Sequence, residues 1–215
     1  MRIVIFANGT LNQPQKIRSL LQPDDFILAA DGGALHALAC EVMPAMIVGD
    51  LDSIPADLLA RFQTAAVRLE QYPPRKDETD LELALAFAVQ RFPKTPILLL
   101  TALGGRWDMT LANILLLAHP RWQHASITLL DDTCQITLLH GGRAATLSGQ
   151  PGDTVSLIPI RGAAEGITTT GLEYPLKAET LQFAATRGIS NVLTQPQATI
   201  ALLRGLLCIV HTFQS

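Results

Sequence analysis

Apolar residues along this chain follow two patterns, and the change falls near residue 132. Up to about Asp131, short and nearly continuous apolar runs recur at Ile3–Phe6, Phe26–Ala30, Met46–Val48, Val67–Gln71, Ile97–Thr101 and Ile127–Leu130. The segments between them space apolar residues three and four apart, as in Leu81, Ala84, Leu85 and Ala88, or Leu111, Ile114, Leu115 and Ala118. The first pattern predicts strands and the second helices. Strands alternating with helices predict a mostly parallel, helix-covered sheet. Continuous apolar strands agree, because such a sheet is buried on both faces.

Past about Thr133 the helical spacing disappears. Short β-rich runs follow at Ile136–Leu139, Ala144–Leu147, Thr154–Pro159 and Gly166–Thr170, separated by Gly-Gly, Pro-Gly and Arg-Gly turns. Thr199–Leu203, Arg204-Gly205 and Leu206–Thr212 read as a closing hairpin. The expected fold is α/β: an N-terminal, mostly parallel, helix-covered sheet over residues 1–132, then an antiparallel β-sandwich over residues 133–215.

Composition narrows the function. The chain has 215 residues, 48% hydrophobic and 16% charged, with a formal net charge of −3. Its Lys and Arg are scattered, which argues against a nucleic-acid surface, since duplex binding needs a basic face. Cys40, Cys134 and Cys208 are far apart and form no Cys-x-x-Cys pair, as in a reduced protein with buried thiols. The longest apolar stretch, Ala198 to Val210, is broken by Arg204-Gly205 and falls short of a bilayer span. Met1-Arg2 leads straight into a strand without a secretory signal. A soluble, cytoplasmic protein without a membrane partner is expected.

Chemistry gathers in acidic clusters at the ends of predicted strands. Gly49-Asp50-Leu51-Asp52-Ser53 puts two carboxylates two residues apart, on one side if the backbone is extended. Lys76-Asp77-Glu78-Thr79-Asp80 and Gly104-Gly105-Arg106-Trp107-Asp108 follow in similar surroundings, and Asp31-Gly32-Gly33 ends the second strand. In an α/β fold these positions converge at the carboxyl ends of the strands, where ligands bind. Carboxylates there, with Arg106 and Lys76 among them, suit a magnesium ion holding a nucleotide polyphosphate. Gly104-Gly105 permits positive φ and a close approach of backbone N–H groups to an anion.

Plainer roles compete for some of these residues. Asp52 or Ser53 is expected to cap a helix beginning near Ile54-Pro55. Thr79 and Glu82 form a capping box, Asp108 reads as an N-cap, and Trp107 and Trp122 read as packing residues. The five histidines are dispersed, which leaves zinc chemistry without support. Neither a Gly-x-x-x-x-Gly-Lys-Ser/Thr loop, a Gly-x-Gly-x-x-Gly fingerprint nor a Gly-x-Ser-x-Gly elbow occurs.

In this order and spacing, the motifs resemble those of the thiamine pyrophosphokinase family. The matching stretches are Ala30-Asp31-Gly32-Gly33, Val48 to Ser53, Lys76 to Asp80, and Gly104 to Asp108 with Leu111-Ala112-Asn113. Arg187-Gly188-Ile189-Ser190-Asn191 looks like the family's Ser-Asn motif. The resemblance implies a two-domain homodimer that transfers the diphosphate of ATP to the hydroxyethyl group of thiamine, releasing AMP. It implies Asp50, Asp52 and Asp80 as magnesium ligands and catalytic acids. Asp31, Gly32, Lys76, Asp77, Gly105, Arg106 and Asp108 would meet ATP, while Ser190 and Asn191 would hold the thiamine pyrimidine near the dimer interface. Met109 departs from the pattern, since many bacterial relatives carry His after that aspartate. Competing readings are a pyrophosphokinase for another small alcohol, such as a pterin, and a non-catalytic nucleotide or thiamine diphosphate sensor.

Overall fold

A computed structural model describes residues 1–214. The chain divides into two compact units, Met1–Asp132 and a second from Thr133 onward.

In the first unit, strands alternate with helices: β1 (Ile3–Phe6), α1 (Pro14–Leu20), β2 (Phe26–Ala30), α2 (Gly33–Ala39), β3 (Met46–Gly49), α3 (Ala56–Thr64) and β4 (Arg68–Gln71). They continue with α4 (Asp80–Arg91), β5 (Ile97–Leu100), α5 (Trp107–Leu116) and β6 (Ile127–Leu130). All neighbouring strands are parallel, in the order β6-β5-β1-β2-β3-β4. The connections run one way from β1 to β4 and the other way to β5 and β6. That reversal beside β1 is where such sheets open a crevice at their carboxyl edge.

The burial pattern explains the assignment. β1, β3 and β5 are buried at every position, while the edge strand β4 is only half-buried. Helix α4 begins at Thr79, whose Oγ1 accepts the Glu82 N–H at 3.2 Å. It buries Leu81, Ala84, Leu85 and Ala88, the residues whose spacing predicts the helix. Each such leucine contributes about 1.5–3 kcal/mol by leaving water.

Two expected caps do not form. Helix α3 starts at Ala56 with Pro55 in the N-cap position and no side-chain cap. Ser53 instead donates its hydroxyl to Asp52 Oδ1 at 3.2 Å. Helix α5 starts at Trp107, so Asp108 lies inside the first turn, and its carboxylate is taken by Arg106. Asp108 still suits the positive end of the helix dipole.

The second unit has β7 (Cys134–His140), β8 (Arg143–Ser148), β9 (Thr154–Pro159), β10 (Ala164–Thr170), β11 (Glu179–Leu181), β12 (Asn191–Val192), β13 (Gln197–Leu202) and β14 (Leu206–Thr212). Within it, β12-β9-β14-β7 and β11-β10-β13-β8 form two antiparallel layers. Residues from both layers, including Leu139, Val155, Ile167, Ile200 and Ile209, share one core.

The expected closing hairpin is absent. β13 pairs with β8 and β10, whereas β14 pairs with β7 and β9. The Arg204-Gly205 link is a corner between layers, held where the Leu203 and Arg204 N–H groups donate to Glu165 O, each at 3.1 Å. Two apolar runs around a glycine look the same in sequence whether the chain doubles back or changes sheet.

Candidate active site

The carboxyl ends of β1, β2, β3 and β5 surround a cavity of ≈ 470 Å³. Its wall includes Asn8, Asp31, Asp50, Asp52, Ser53, Lys76, Asp80, Gly105, Arg106 and Met109, all from the first unit.

Asp50 and Asp52 are not presented by an extended strand. Leu51 between them has φ 69°, in the left-handed region, and its buried side chain anchors the turn in the core. The turn brings the Asp52 N–H to Asp50 Oδ1 at 3.4 Å. Asp31, also left-handed at φ 43°, adds a third carboxylate. One oxygen each from Asp31, Asp50 and Asp52 lies within 4.8 Å of the others. Asp31 is 5% exposed, and its Oδ1 is buried without a hydrogen-bond partner. An orphaned buried carboxylate oxygen is costly unless a cation or proton completes it. The oxygen-only donor set fits a hard divalent cation.

Asp80 enters from the first turn of α4. Gly49 is why it can approach: a Cβ there would lie 2.9 Å from Asp31 Cβ and 3.1 Å from Asp80 Oδ1. Lys76 lies four residues before Asp80, with Nζ 2.8 Å from Asp80 Oδ1 and 3.4 Å from Asp50 Oδ2. The ammonium thus bridges the two carboxylates, closer to Asp80 and donating a longer hydrogen bond to Asp50.

The electrostatics follow from burial and from this lysine. Burial pushes the Asp80 carboxyl above its ordinary range, with Asp31 and Asp50 adding to the push and Lys76 only partly opposing it. Burial also disfavours ionised Asp50. There the Asp52 backbone N–H and the Lys76 ammonium prevail and hold the carboxyl low. Burial works against the Lys76 ammonium, but Asp80 and Asp50 raise its pKa overall.

On the far wall, Gly104 and Gly105 have φ of 79° and 69°, giving the tight turn that the Gly-Gly pair predicts. Arg106 and Asp108 make a bidentate pair at 2.5 and 3.2 Å, both largely exposed. Asn113 is buried and donates to Ala102 O at 2.8 Å, bracing this wall.

Other candidates lie elsewhere. Asp77 is exposed and outside the cavity wall. Gly32 is also off the wall; it leaves room for Asn8, whose Nδ2 would be 2.5 Å from a Cβ there. Asn8 lines the cavity, but in sequence it reads only as the end of a strand. Trp122 is buried as expected, whereas Trp107 is 86% exposed and therefore not a packing residue. As the first residue of α5 it follows the exposed Arg106, and Leu111 and Leu115 continue the same outward stripe.

Ser190 and Asn191 belong to the second unit. Ser190 is left-handed at φ 60°, and its N–H donates to Ser156 Oγ at 3.1 Å. Asn191 Oδ1 accepts the Tyr174 and Val192 N–H groups at 3.0 and 2.9 Å, and its Nδ2 donates to Tyr174 O at 2.8 Å. That amide holds the Tyr174 segment in place along a cavity of ≈ 320 Å³, whose wall also carries Glu179, Arg187 and Ile189.

This architecture defines a class: an α/β protein with a cation-ready acidic cleft at the carboxyl edge of its sheet, carrying an appended β-sandwich. Comparison with known proteins narrows the class. The family described as "Thiamin pyrophosphokinase, catalytic domain" matches residues 17–129, and "Thiamin pyrophosphokinase, vitamin B1 binding domain" matches residues 145–207. The chain belongs to the thiamin pyrophosphokinase family. Thiamine pyrophosphokinase from Bacillus subtilis is 29% identical over 210 residues, covering 98% of each chain. Thiamine pyrophosphokinase 1 of Arabidopsis thaliana is 29% identical, covering 91% of this chain and 82% of its own. The Bacillus subtilis enzyme's crystal structure superposes with a TM-score of 0.88 at 27% identity, covering 100% of both chains.

Proposed function

We propose that this protein transfers the diphosphoryl group of ATP to the hydroxyethyl oxygen of thiamine, giving thiamine diphosphate and AMP. The observation that carries this reading is the acid cluster of Asp31, Asp50 and Asp52, with Asp80 beside it, in a chain that has both domains of the family. In the reaction the thiamine hydroxyl oxygen bonds to the β-phosphorus. The bond from that phosphorus to the α,β-bridging oxygen breaks, and AMP leaves with the oxygen. The hydroxyl proton passes to a carboxylate of the Asp50, Asp52 and Asp80 set.

A magnesium ion bound by Asp50, Asp52 and Asp80, with the orphaned Asp31 as a further ligand, would supply charge stabilisation for the polyphosphate. The chain's own groups then orient the substrates. Lys76 and Arg106 neutralise phosphate oxygens, Gly105 offers its backbone, and Asp108 aims the Arg106 fork. Asp31 completes the nucleotide side, Gly32 serves it by leaving room for Asn8 on the wall, and Asp77, exposed beyond the wall, would meet only a part of the nucleotide that reaches past it. Asn191 would serve thiamine through the Tyr174 segment it fixes, with Ser190 next to it.

We read the protein as a cytoplasmic homodimer, on the strength of its family. Among the described residues, no helix is long and apolar enough to cross a membrane. A pterin-like acceptor is disfavoured by the vitamin B1 binding domain match, and a non-catalytic sensor by the complete set of acids.

The test incubates the protein with ATP, magnesium and thiamine, then separates nucleotides and thiamine esters. AMP and thiamine diphosphate in equal amounts are expected. ADP with thiamine monophosphate, or nucleotide turnover independent of thiamine, refutes the reading. Light scattering after size-exclusion chromatography checks the dimer.

A further inference from the structure

We infer that Lys76 is the resting counter-ion of the acid cluster, and that a divalent cation displaces its ammonium from Asp50 toward the phosphates of the nucleotide, so that metal and nucleotide bind cooperatively. The inference rests on the metal-site reading above and adds to it a coupling between metal and nucleotide. Four carboxylates, Asp31, Asp50, Asp52 and Asp80, line the cavity, three of them within 4.8 Å of one another. Unshielded, they repel one another. Lys76 relieves that repulsion from an enclosed position, its side chain only 11% exposed, by touching Asp80 and Asp50 together.

Asp80, a metal ligand in that reading, holds Nζ at 2.8 Å, and Asp50 is likewise common to both arrangements. Its carboxylate belongs to the three-acid group able to surround a cation, and it also accepts Lys76 Nζ at 3.4 Å. A divalent cation on Asp50 and an ammonium on the same carboxylate repel each other. The unpartnered Asp31 oxygen shows that the lysine does not satisfy the whole cluster. When the metal arrives, the ammonium loses its reason to face Asp50. The lysine then turns on its flexible stem into the cavity it already lines, where phosphate oxygens are the partners available. Bare metal therefore binds weakly, against the lysine. Metal with polyphosphate binds tightly, because the displaced ammonium finds a new anion. Lys76 is thus a positioning residue that couples metal to nucleotide.

Mn2+ titrations followed by electron paramagnetic resonance, without thiamine or turnover, test this. The comparison uses wild type, Lys76→Met, Lys76→Gln and Asp50→Asn, each with and without α,β-methylene-ATP. Lys76→Met is expected to bind Mn2+ alone about 10-fold more tightly than wild type. The further tightening that nucleotide produces in wild type should shrink by a similar factor. Lys76→Gln should repeat the result, which covers the case of a poorly folded methionine variant. If both neutral variants bind bare Mn2+ no better than wild type while Asp50→Asn loses binding, the metal site stands and the lysine's role is overturned. If wild type fails to bind Mn2+ even with nucleotide, the metal reading falls and takes this inference with it.

Discussion

Gly49→Ala puts the geometry of the acid cluster under direct strain. Gly49 has φ 154°, a conformation that L side chains rarely adopt, and forcing alanine into it costs about 1–3 kcal/mol. The added methyl would also stand 2.9 Å from Asp31 Cβ and 3.2 Å from Asp31 Cα. Asp31 is buried and left-handed, so its backbone has little room to give. Overpacking of this kind adds about 1–3 kcal/mol, for a total loss of about 2–6 kcal/mol. Both tryptophans, Trp107 and Trp122, lie in the first unit, so their fluorescence in urea follows that unit's unfolding. Turnover should fall about 100-fold or more, because the methyl pushes Asp31 and Asp80 off their positions by a large fraction of an ångström. A variant with unfolding free energy within about 0.5 kcal/mol of wild type and normal AMP formation would refute the account.

Three further outcomes follow from other parts of the molecule. Asp50→Ala should stay folded, since its side chain faces the cavity and leaves the core intact, and should lose about 100- to 1,000-fold in kcat; circular dichroism with the AMP assay checks both halves. Thr79→Ala should destabilise the first unit by about 1 kcal/mol by removing the cap on α4, read as a shifted urea midpoint. Asp153→Ala should cost about 2–4 kcal/mol in the second unit, because the buried carboxylate accepts from the Gln150 and Gln214 N–H groups and meets His211 Nε2 at 2.8–2.9 Å. Burial raises the Asp153 pKa, but these partners outweigh it and hold the group below its ordinary 3.8. Its contribution is therefore full above that pH and fades as pH falls through the lower folded value. The gap between variant and wild type, followed by circular dichroism, should narrow below about pH 4; a gap unchanged down to pH 2 would rule this out.

The layered plan was legible because it depends on period. Ile3–Phe6 and Ile97–Leu100 are apolar at every position, and they form interior parallel strands. Thr79 and Glu82 announced α4 through a local hydrogen bond whose partners are three residues apart. What failed was decided at a distance or by backbone torsion. Ser53 and Asp108 have the right chemistry for caps, but their polar atoms were claimed by Asp52 and Arg106. Leu51 gives no sign in sequence of its left-handed turn, so the spacing of Asp50 and Asp52 alone predicts an extended chain. The place of Asp31 in the cation group is not legible in sequence, since only the fold sets it beside acids 19 and 21 positions later. Trp107 reads as a packing residue by type alone, yet it opens a helix whose outward face it occupies.

The position of β14 shapes how the second unit is made. Of that unit's strands it comes last in sequence, yet it lies between β7 and β9. On the ribosome, β7 and β9 emerge well before it and have no partner in common until it appears. Both present unpaired edges during that interval, the condition under which nascent β-domains mispair or recruit chaperones. The first unit has its whole parallel sheet available by Leu130 and is free to close early. Synthesis would thus yield a folded first unit trailing an open sandwich, in which β13 closes one layer between β8 and β10 and β14, emerging directly after it, closes the other between β7 and β9.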